Sequence, residues 1–483
     1  MCLGTDGWSN VHNDSVVTYT GSNSENSIFL QSVNTREISH SGVWISDDIN
    51  RVMKELYEDG ITSVGCCTDN TSANKLAWER LGKNYPNKLF YECACHWLHL
   101  FVKDIVSPTK AVMKTWENVI PPHPFLETHR TVALVMILIK FFFNHHVAKA
   151  TLENQVIDAG KSKLVRPAPT RWGAIYDSLV SVANLLDVEL LSAVSSRDFV
   201  SGQKSPAAKE SAQIVYDFVR DPETKEAICK TISLLAPIMV EIKKFQSDRV
   251  PVSQVFVTFC KLRIEMTRMA FLSGAQRDFL SNIVQDRWDL LYSDCHGMAY
   301  MLDPVCYNSP EYEEYINHEA DLKADIEKWI YAIPMSNNAG PRETLSNDVV
   351  PYTETTPAVK RLQFRELMKF QALCRRMKDD ATPLYLELTD GTMSPVDFWN
   401  INAREFPYLA PIAISLFNLS SSSASAERSF SAMGFIQNKL RNCLKPEKVE
   451  KLTYIKMNWR IAHAIDAPLD SDDEYEEQRE YGC

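Results

Sequence analysis

Strand-forming segments crowd into the first hundred residues, and this most limits the fold. Val16 to Gly21 (VVTYTG) and Ser27 to Val33 (SIFLQSV) are β-branched and aromatic. A Ser/Asn/Gly turn cluster separates them, so they predict a hairpin. The MCLGTDGWSN segment before them reads as a further strand. Ile45, Ile49, Val52, Met53 and Leu56 recur at helical spacing within Trp44 to Tyr57, and Gly60 stops that helix. Ile61 to Thr68 is a short apolar run of buried-strand type that ends at Asp69-Asn70. A helix from Ala73 to Leu81 and a strand from Lys88 to Cys93 complete a β-β-β-α-β-α-β order. In open α/β sheets the functional residues gather at the carboxyl ends of strands. Asp6 and Asp69 are both expected there.

From Ile105 to about Pro395 helical periodicity takes over. Helices are predicted over Phe141–Ala150, Ser178–Leu191, Lys225–Phe245, Val255–Phe271, Glu311–Ile330 and Val359–Met377, with a loop over Ser336–Thr356. The apolar run Val132 to Phe143 is broken by Lys140 and falls short of the roughly 20 residues a membrane span needs, so it predicts a buried helix. The expected organisation is a first unit over 1–105, a mostly helical stretch over 106–395, a C-terminal part of the core over 396–460, and an acidic disordered tail over 461–483.

Hydrophobic residues make up 45% of the chain and charged residues 23%, a globular balance. Phosphate affinity comes from Lys and Arg, so at a net charge of −11 any nucleic-acid contact has to use a local basic patch. Lys161, Lys163, Arg166 and Arg171 form the best candidate. The 12 cysteines, with no signal peptide at Met1, are expected as reduced thiols.

Near the C-terminus a serine-rich lead-in from Ser420 runs into Ala426, Phe430 and Met433 at helical spacing, which places Glu427 beside the buried stripe. Pro446 suits the start of a second helix, with Val449, Leu452, Ile455 and Trp459 as its stripe. Taken alone, Asp6 before Gly7 reads as a turn aspartate, Asp69 as a helix cap and Glu427 as a solvated charge. The cluster Cys93-Ala94-Cys95-His96-Trp97-Leu98-His99 is too tightly spaced to surround one tetrahedral zinc ion easily.

The segment Ser425-Ala426-Glu427-Arg428-Ser429-Phe430-Ser431, followed by Lys439-Leu440-Arg441-Asn442 and Leu444, resembles the C-terminal dimerisation segment of hAT-superfamily transposases. Phe398-Trp399 and Phe406-Pro407-Tyr408-Leu409-Ala410 fit the same segment. Asp6-Gly7-Trp8 and Thr68-Asp69-Asn70 resemble the family's first two acidic motifs. The resemblance implies an RNase H-like mixed sheet, an α/β fold, interrupted by a large all-α insertion. It implies Asp6, Asp69 and Glu427 as catalytic residues that bind Mg²⁺ or Mn²⁺ and cut and join DNA by two-metal phosphoryl transfer. Cys93 with His96, and Arg171 with Trp172, match family motifs for DNA handling, the tryptophan stacking on a base. Phe430, Val449, Leu452, Ile455 and Trp459 are expected at a homodimer or higher-oligomer surface, and the nucleus is the implied location. The family's N-terminal zinc finger has no counterpart before Asp6, so the chain is expected to be N-terminally truncated. A non-catalytic, dimerising derivative of such a transposase is the alternative.

Overall fold

The structure, a computed structural model, describes residues 1–10, 12–36, 38–86, 88–106, 123–167, 173–247, 249–306, 357–438, 441 and 443–462. Three strands open the chain: β1 (Cys2–Ser9), β2 (Ser15–Ser22) and β3 (Ser27–Asn34). There follow α1 (Gly42–Glu58), β4 (Gly65–Thr68), α2 (Ser72–Asn84), β5 (Leu89–Glu92) and α3 (Ala94–Val106). The sheet order is β3-β2-β1-β4-β5. β1, β2 and β3 pair antiparallel, while β4 and β5 join parallel to β1. The predicted order of elements therefore stands as a mixed α/β arrangement. The strand expected over Ile61–Thr68 is formed only by its last four residues. Val64 N donates instead to Met1 O at 2.8 Å, which ties the approach to β4 against the chain start.

Helices α4 (Leu126–Asn144) and α5 (His146–Asp158) meet at a bend of 100°. The helix expected over Phe141–Ala150 is thus the end of one and the start of the next, broken at His145. The apolar run Val132–Phe143 lies in α4 with Val135, Leu138, Ile139, Phe141 and Phe142 buried. Among the described residues no single helix is long and apolar enough to cross a membrane. After these come α6 (Ala174–Leu185), a π-helical turn over Leu186–Leu190, α7 (Leu191–Val194), α8 (Pro206–Arg220), α9 (Thr224–Phe245), α10 (Ser253–Arg268), α11 (Gly274–Leu291) and α12 (Asp294–Leu302). The helix predicted over Glu311–Ile330, the loop over Ser336–Thr356 and the acidic tail lie outside the described residues. The C-terminal stretch holds α13 (Pro357–Asp379), α14 (Pro383–Thr389), α15 (Pro395–Ile401), α16 (Ala410–Phe417), α17 (Ala424–Ile436) and α18 (Pro446–Ala462).

The chain divides into two compact units. One comprises Met1–His96, Lys244–Cys260 and Leu291–Cys483, and contains the whole sheet together with α12 to α18. The other comprises Trp97–Lys243 and Lys261–Leu290, and its described elements are all helical. Two cores serve the sheet unit. Leu3, Val17, Tyr19 and Cys66 pack with Ile49, Val52, Met53 and Leu56 of α1 on one side. Val16 and Phe29 pack with Met433, Ile436 and Val449 of α17 and α18 on the other.

α18 also covers the sheet edge. Asn458 Oδ1 accepts from Phe29 N at 2.9 Å, and its Nδ2 donates to Phe29 O at 2.8 Å. Glu450 Oε1 accepts from Ser32 N at 2.8 Å. Side chains two helical turns apart thereby satisfy backbone groups of the edge strand β3, which would otherwise invite pairing with another chain.

Candidate active site

The site is set by the register of β1 against its neighbours. Gly4 stands opposite Cys67 of β4, and two further residues along that register bring Asp69, just beyond β4, level with Asp6. Neighbouring strands run about 4.8 Å apart, so both carboxylates belong to one rim of the sheet. Asp6 is not at the carboxyl end of its strand, where it was expected, because β1 runs on to Ser9. It lies within β1, opposite Thr18 of β2, where the pairing with β4 has run out.

Alternation puts Gly4 and Asp6 on the same face. A Cβ at Gly4 would lie 2.8 Å from Thr20 Oγ1 of β2, too close for a side chain, and 3.5 Å from Ser425 Oγ, in ordinary contact with the start of α17. Thr20 Oγ1 and Ser425 Oγ are hydrogen-bonded at 2.7 Å. Further along α17, Phe430 stacks on Trp8 with ring centroids 5.7 Å apart. Arg428 Nη1 donates to Gln246 O at 2.6 Å and its Nη2 to Ser27 Oγ at 3.2 Å. Glu427 lies between these anchors, on a helix laid over the face that bears Asp6.

The serine run is packing rather than linker. Ser420 to Ser423 and Ser425 are all buried. Ser422 Oγ donates to Phe245 O at 2.6 Å, Tyr91 Oη donates to Ser420 O at 2.6 Å, and Ser423 N donates to Cys93 Sγ at 3.3 Å. Small hydroxyls let the backbone descend onto the sheet while pairing the polar groups it buries.

The electrostatics link the carboxyl groups. Burial, and then the charge of Asp69, push Asp6 up to about 7. Burial, and then the charge of Asp6, push Glu427 up to about 10, with Arg428 beside it pulling the other way. Asp6 Oδ1 accepts from Gly7 N at 2.7 Å. Asp69 Oδ1 accepts from Thr71 N at 3.3 Å and from Asn74 Nδ2. The N-cap of α2 is Thr71, whose hydroxyl accepts from Asn74 N at 3.3 Å, so Asp69 is not needed as the cap. Among the described residues no group of three or more His, Cys, Asp or Glu is placed to hold a metal ion as it stands.

The remaining expected residues are dispersed. Cys93 is fully buried beneath Ser423, and His96 lies in the first turn of α3. Lys161 pairs with Glu189 at 2.9 Å, Lys163 with Glu153 at 3.9 Å, and Arg166 lies over the Phe143 ring at 5.9 Å. Arg171 and Trp172 lie outside the described residues. Phe430 and Val449 turn into the chain's own core, whereas Leu452, Ile455 and Trp459 are 38%, 55% and 52% exposed. The predicted stripe on α18 is therefore two faces. Val449, Thr453 and Met457 face inward, and the three larger apolar residues face out. Sequence reasoning missed Gly4, Thr20, Ser425 and Arg428 as the residues that seat α17. Gly4 carried a usable signal, two residues before Asp6 and so on the same face.

No curated protein matches the chain. Residues 1–120 match the family model of a domain of unknown function (DUF659), which is found in hAT-like transposases. Residues 366–459 match the family model of the hAT family C-terminal dimerisation region, so both ends of the sheet unit support the resemblance to that family.

Proposed function

We propose that the chain carries an RNase H-like core with a helical insertion and acts as an hAT-type DNA transposase or a fragment of one. Asp6, Asp69 and Glu427 are its catalytic carboxylates. The observation that supports this most is the mutual influence of acids drawn from three distant stretches of sequence onto one sheet face. Two of them are held far above the ordinary carboxylate range. Structural carboxylates are normally paired with cations, whereas repelling acids cluster where chemistry needs them. The sheet order β3-β2-β1-β4-β5 also agrees with an RNase H-like topology.

The donor set fits hard divalent cations, which take oxygen ligands. Negative charge shared between carboxyl groups is what such a cation relieves. When bound, Mg²⁺ or Mn²⁺ would supply Lewis acidity for phosphoryl displacement by water or a 3′-hydroxyl. The protein's own part is orientation. Gly7 N–H fixes the Asp6 carboxylate, Thr71 N–H and Asn74 fix Asp69, and the Trp8–Phe430 stack and the Arg428 bonds fix the helix that carries Glu427. Partial burial of Glu427 lowers the screening on its side of the site, which strengthens the charges there. The outward apolar residues of α18 pair two copies of the chain. DNA is the substrate, and the nucleus is where such a protein works.

A Mg²⁺-dependent nicking assay on duplex DNA tests the catalytic reading. Wild type nicks, and Asp6→Asn, Asp69→Asn and Glu427→Gln do not. Equal cleavage by wild type and Glu427→Gln removes the trio. The exposed Leu452, Ile455 and Trp459 favour a second reading that needs no carboxylate chemistry, a dimerising module derived from a transposase. Dimerisation without nicking is its signature.

A further inference from the structure

Helix α13 is strongly basic in a chain of net charge −11. Its 23 residues hold seven Lys/Arg and only two Asp/Glu. Its inner face is committed to the fold, where the Phe370 ring packs 4.6 Å from Trp399, 5.9 Å from Phe398 and 6.2 Å from Phe406. The carboxylate within the helix body, Glu366, is turned inward as well. Its Oε2 accepts from Tyr408 N at 3.0 Å and Leu409 N at 2.8 Å, serving the start of α16. The outer face carries cations, with Phe364 and Met368 exposed among them. Arg361, Arg365, Lys369 and Arg376 follow one another at spacings of 4, 4 and 7 residues, with Ala372 between the last two, and all are exposed. They share one face of the helix and extend about 22 Å along its axis.

We infer that the outward face of α13 binds the phosphate backbone of double-stranded DNA through Arg361, Arg365, Lys369 and Arg376. Backbone affinity needs Lys and Arg in a row that can follow successive phosphates, and it needs no base reading. Arginine's planar fork suits phosphate oxygens. An anionic lipid surface is the weaker fit, because a helix that binds membranes inserts a broad apolar face, and on α13 Leu367, Phe370, Cys374 and Met377 are buried in the fold, which leaves only Phe364 and Met368 exposed among its large apolar residues. The stretch around Lys161, Lys163 and Arg166 is the weaker fit because it holds three cations rather than a row of four along one helix face. The inference rests on the proposed carboxylate chemistry only in taking DNA over another polyanion.

The test is fluorescence anisotropy of the full chain with a labelled duplex of arbitrary sequence, over a salt series without divalent ions. Four phosphate contacts weaken binding about a hundredfold between roughly 50 and 200 mM salt. The variant Arg361→Gln/Arg365→Gln/Lys369→Gln/Arg376→Gln is expected to bind at least tenfold more weakly at the low-salt end, about, with most of the salt dependence gone. Arg365→Lys/Arg376→Lys keeps the salt dependence, because each lysine still neutralises a phosphate. Thermal melts of both variants check that the fold is kept, and Arg365→Gln/Lys369→Gln, which alters half the row, is expected to lose half the slope. Wild-type affinity and slope in the fourfold variant overturn the inference. So does binding to phosphatidylserine vesicles with none to DNA, or loss of all DNA binding on Lys161→Gln/Lys163→Gln/Arg166→Gln. Asp6→Asn separates the two readings: loss of nicking with α13-dependent binding retained upholds both, and nicking that survives Asp6→Asn sinks the carboxylate reading alone.

Discussion

Replacing Glu427 by glutamine should stabilise the protein at neutral pH, and the size of the effect follows from the site. An ordinary glutamic acid ionises near 4.5, whereas burial and the Asp6 charge hold Glu427 up to about 10. In this pair of states the folded chain keeps a proton that the unfolded chain has released. Stability therefore falls as pH rises from about 4.5, and the loss runs on through about 10. Asp6 adds a loss of the same sign that ends near 7. At pH 7.5 the Glu427 shift corresponds to about 4 kcal/mol at 1.36 kcal/mol per unit, and the side chain's partial exposure cuts this to about 2 kcal/mol. Glutamine keeps the shape and carries no charge, so Glu427→Gln should gain about 2 kcal/mol at pH 7.5 and nothing below pH 4.5 or so. Urea unfolding across the pH range reads both the gain and the flatter slope. Mg²⁺ is expected to raise the unfolding midpoint of wild type and to leave that of Asp6→Asn/Glu427→Gln unmoved, because only a folded site that binds the ion gains by mass action. A glutamine variant no more stable than wild type at pH 7.5, with the same pH slope, would refute the argument that burial and the neighbouring Asp6 charge keep Glu427 protonated in the folded chain.

The close approach at β1 gives a second expectation. Gly4→Ala places a methyl 2.8 Å from Thr20 Oγ1 and pushes on the Thr20–Ser425 bond, at a cost of about 1–3 kcal/mol; an unchanged thermal midpoint would contradict it. Leu452→Asp/Ile455→Asp charges the outward face of α18 and should move the chain from dimer to monomer in size-exclusion chromatography, while an unchanged elution volume removes that face from the interface. Asn458→Ala strips the partners from Phe29 N and O at the sheet edge, and should cost about 1–3 kcal/mol. Hydrogen exchange at the Phe29 amide reports it directly, and wild-type protection there would sink the edge-cover argument.

Strands and helices of the sheet unit were legible because their patterns differ: β-branched and aromatic residues in Val16–Gly21 and Ser27–Val33, and helical period in Trp44–Tyr57. The break at His145 was not, since an apolar stripe continues across it with nothing in composition to mark the 100° turn. The packing role of the serine run was not legible for a related reason. Serine is as common in exposed linkers as in tight packing, and only the partners, Phe245 O, Tyr91 Oη and Cys93 Sγ, reveal which role it has. Asp6 and Asp69 could be singled out from their motifs. That Glu427 acts on Asp6 across more than 400 residues of chain could not be read from spacing, because it depends on how α17 is seated by Gly4, Thr20 and Arg428.

The split of α18 into two faces ties the proposed pairing surface to the carboxylates physically. Val449 and Met457 pack with Met433 and Ile436 of α17, the helix that carries Glu427. Glu450 and Asn458 hold the same helix to β3, whose first residue, Ser27, accepts the Arg428 bond. A helix burying only one apolar face could serve the core or a partner; α18 has residues for both. Its inward contacts are made within a single chain, so a second copy is not required to place Glu427. If a second copy covers Leu452, Ile455 and Trp459, as proposed, their removal from water lowers the free energy of the docked helix relative to a frayed one. On that reading, pairing and the position of Glu427 are coupled through α18 in one direction and, by linkage, in the other. Any change that loosens α17 should weaken self-association, even where it leaves the outward residues untouched.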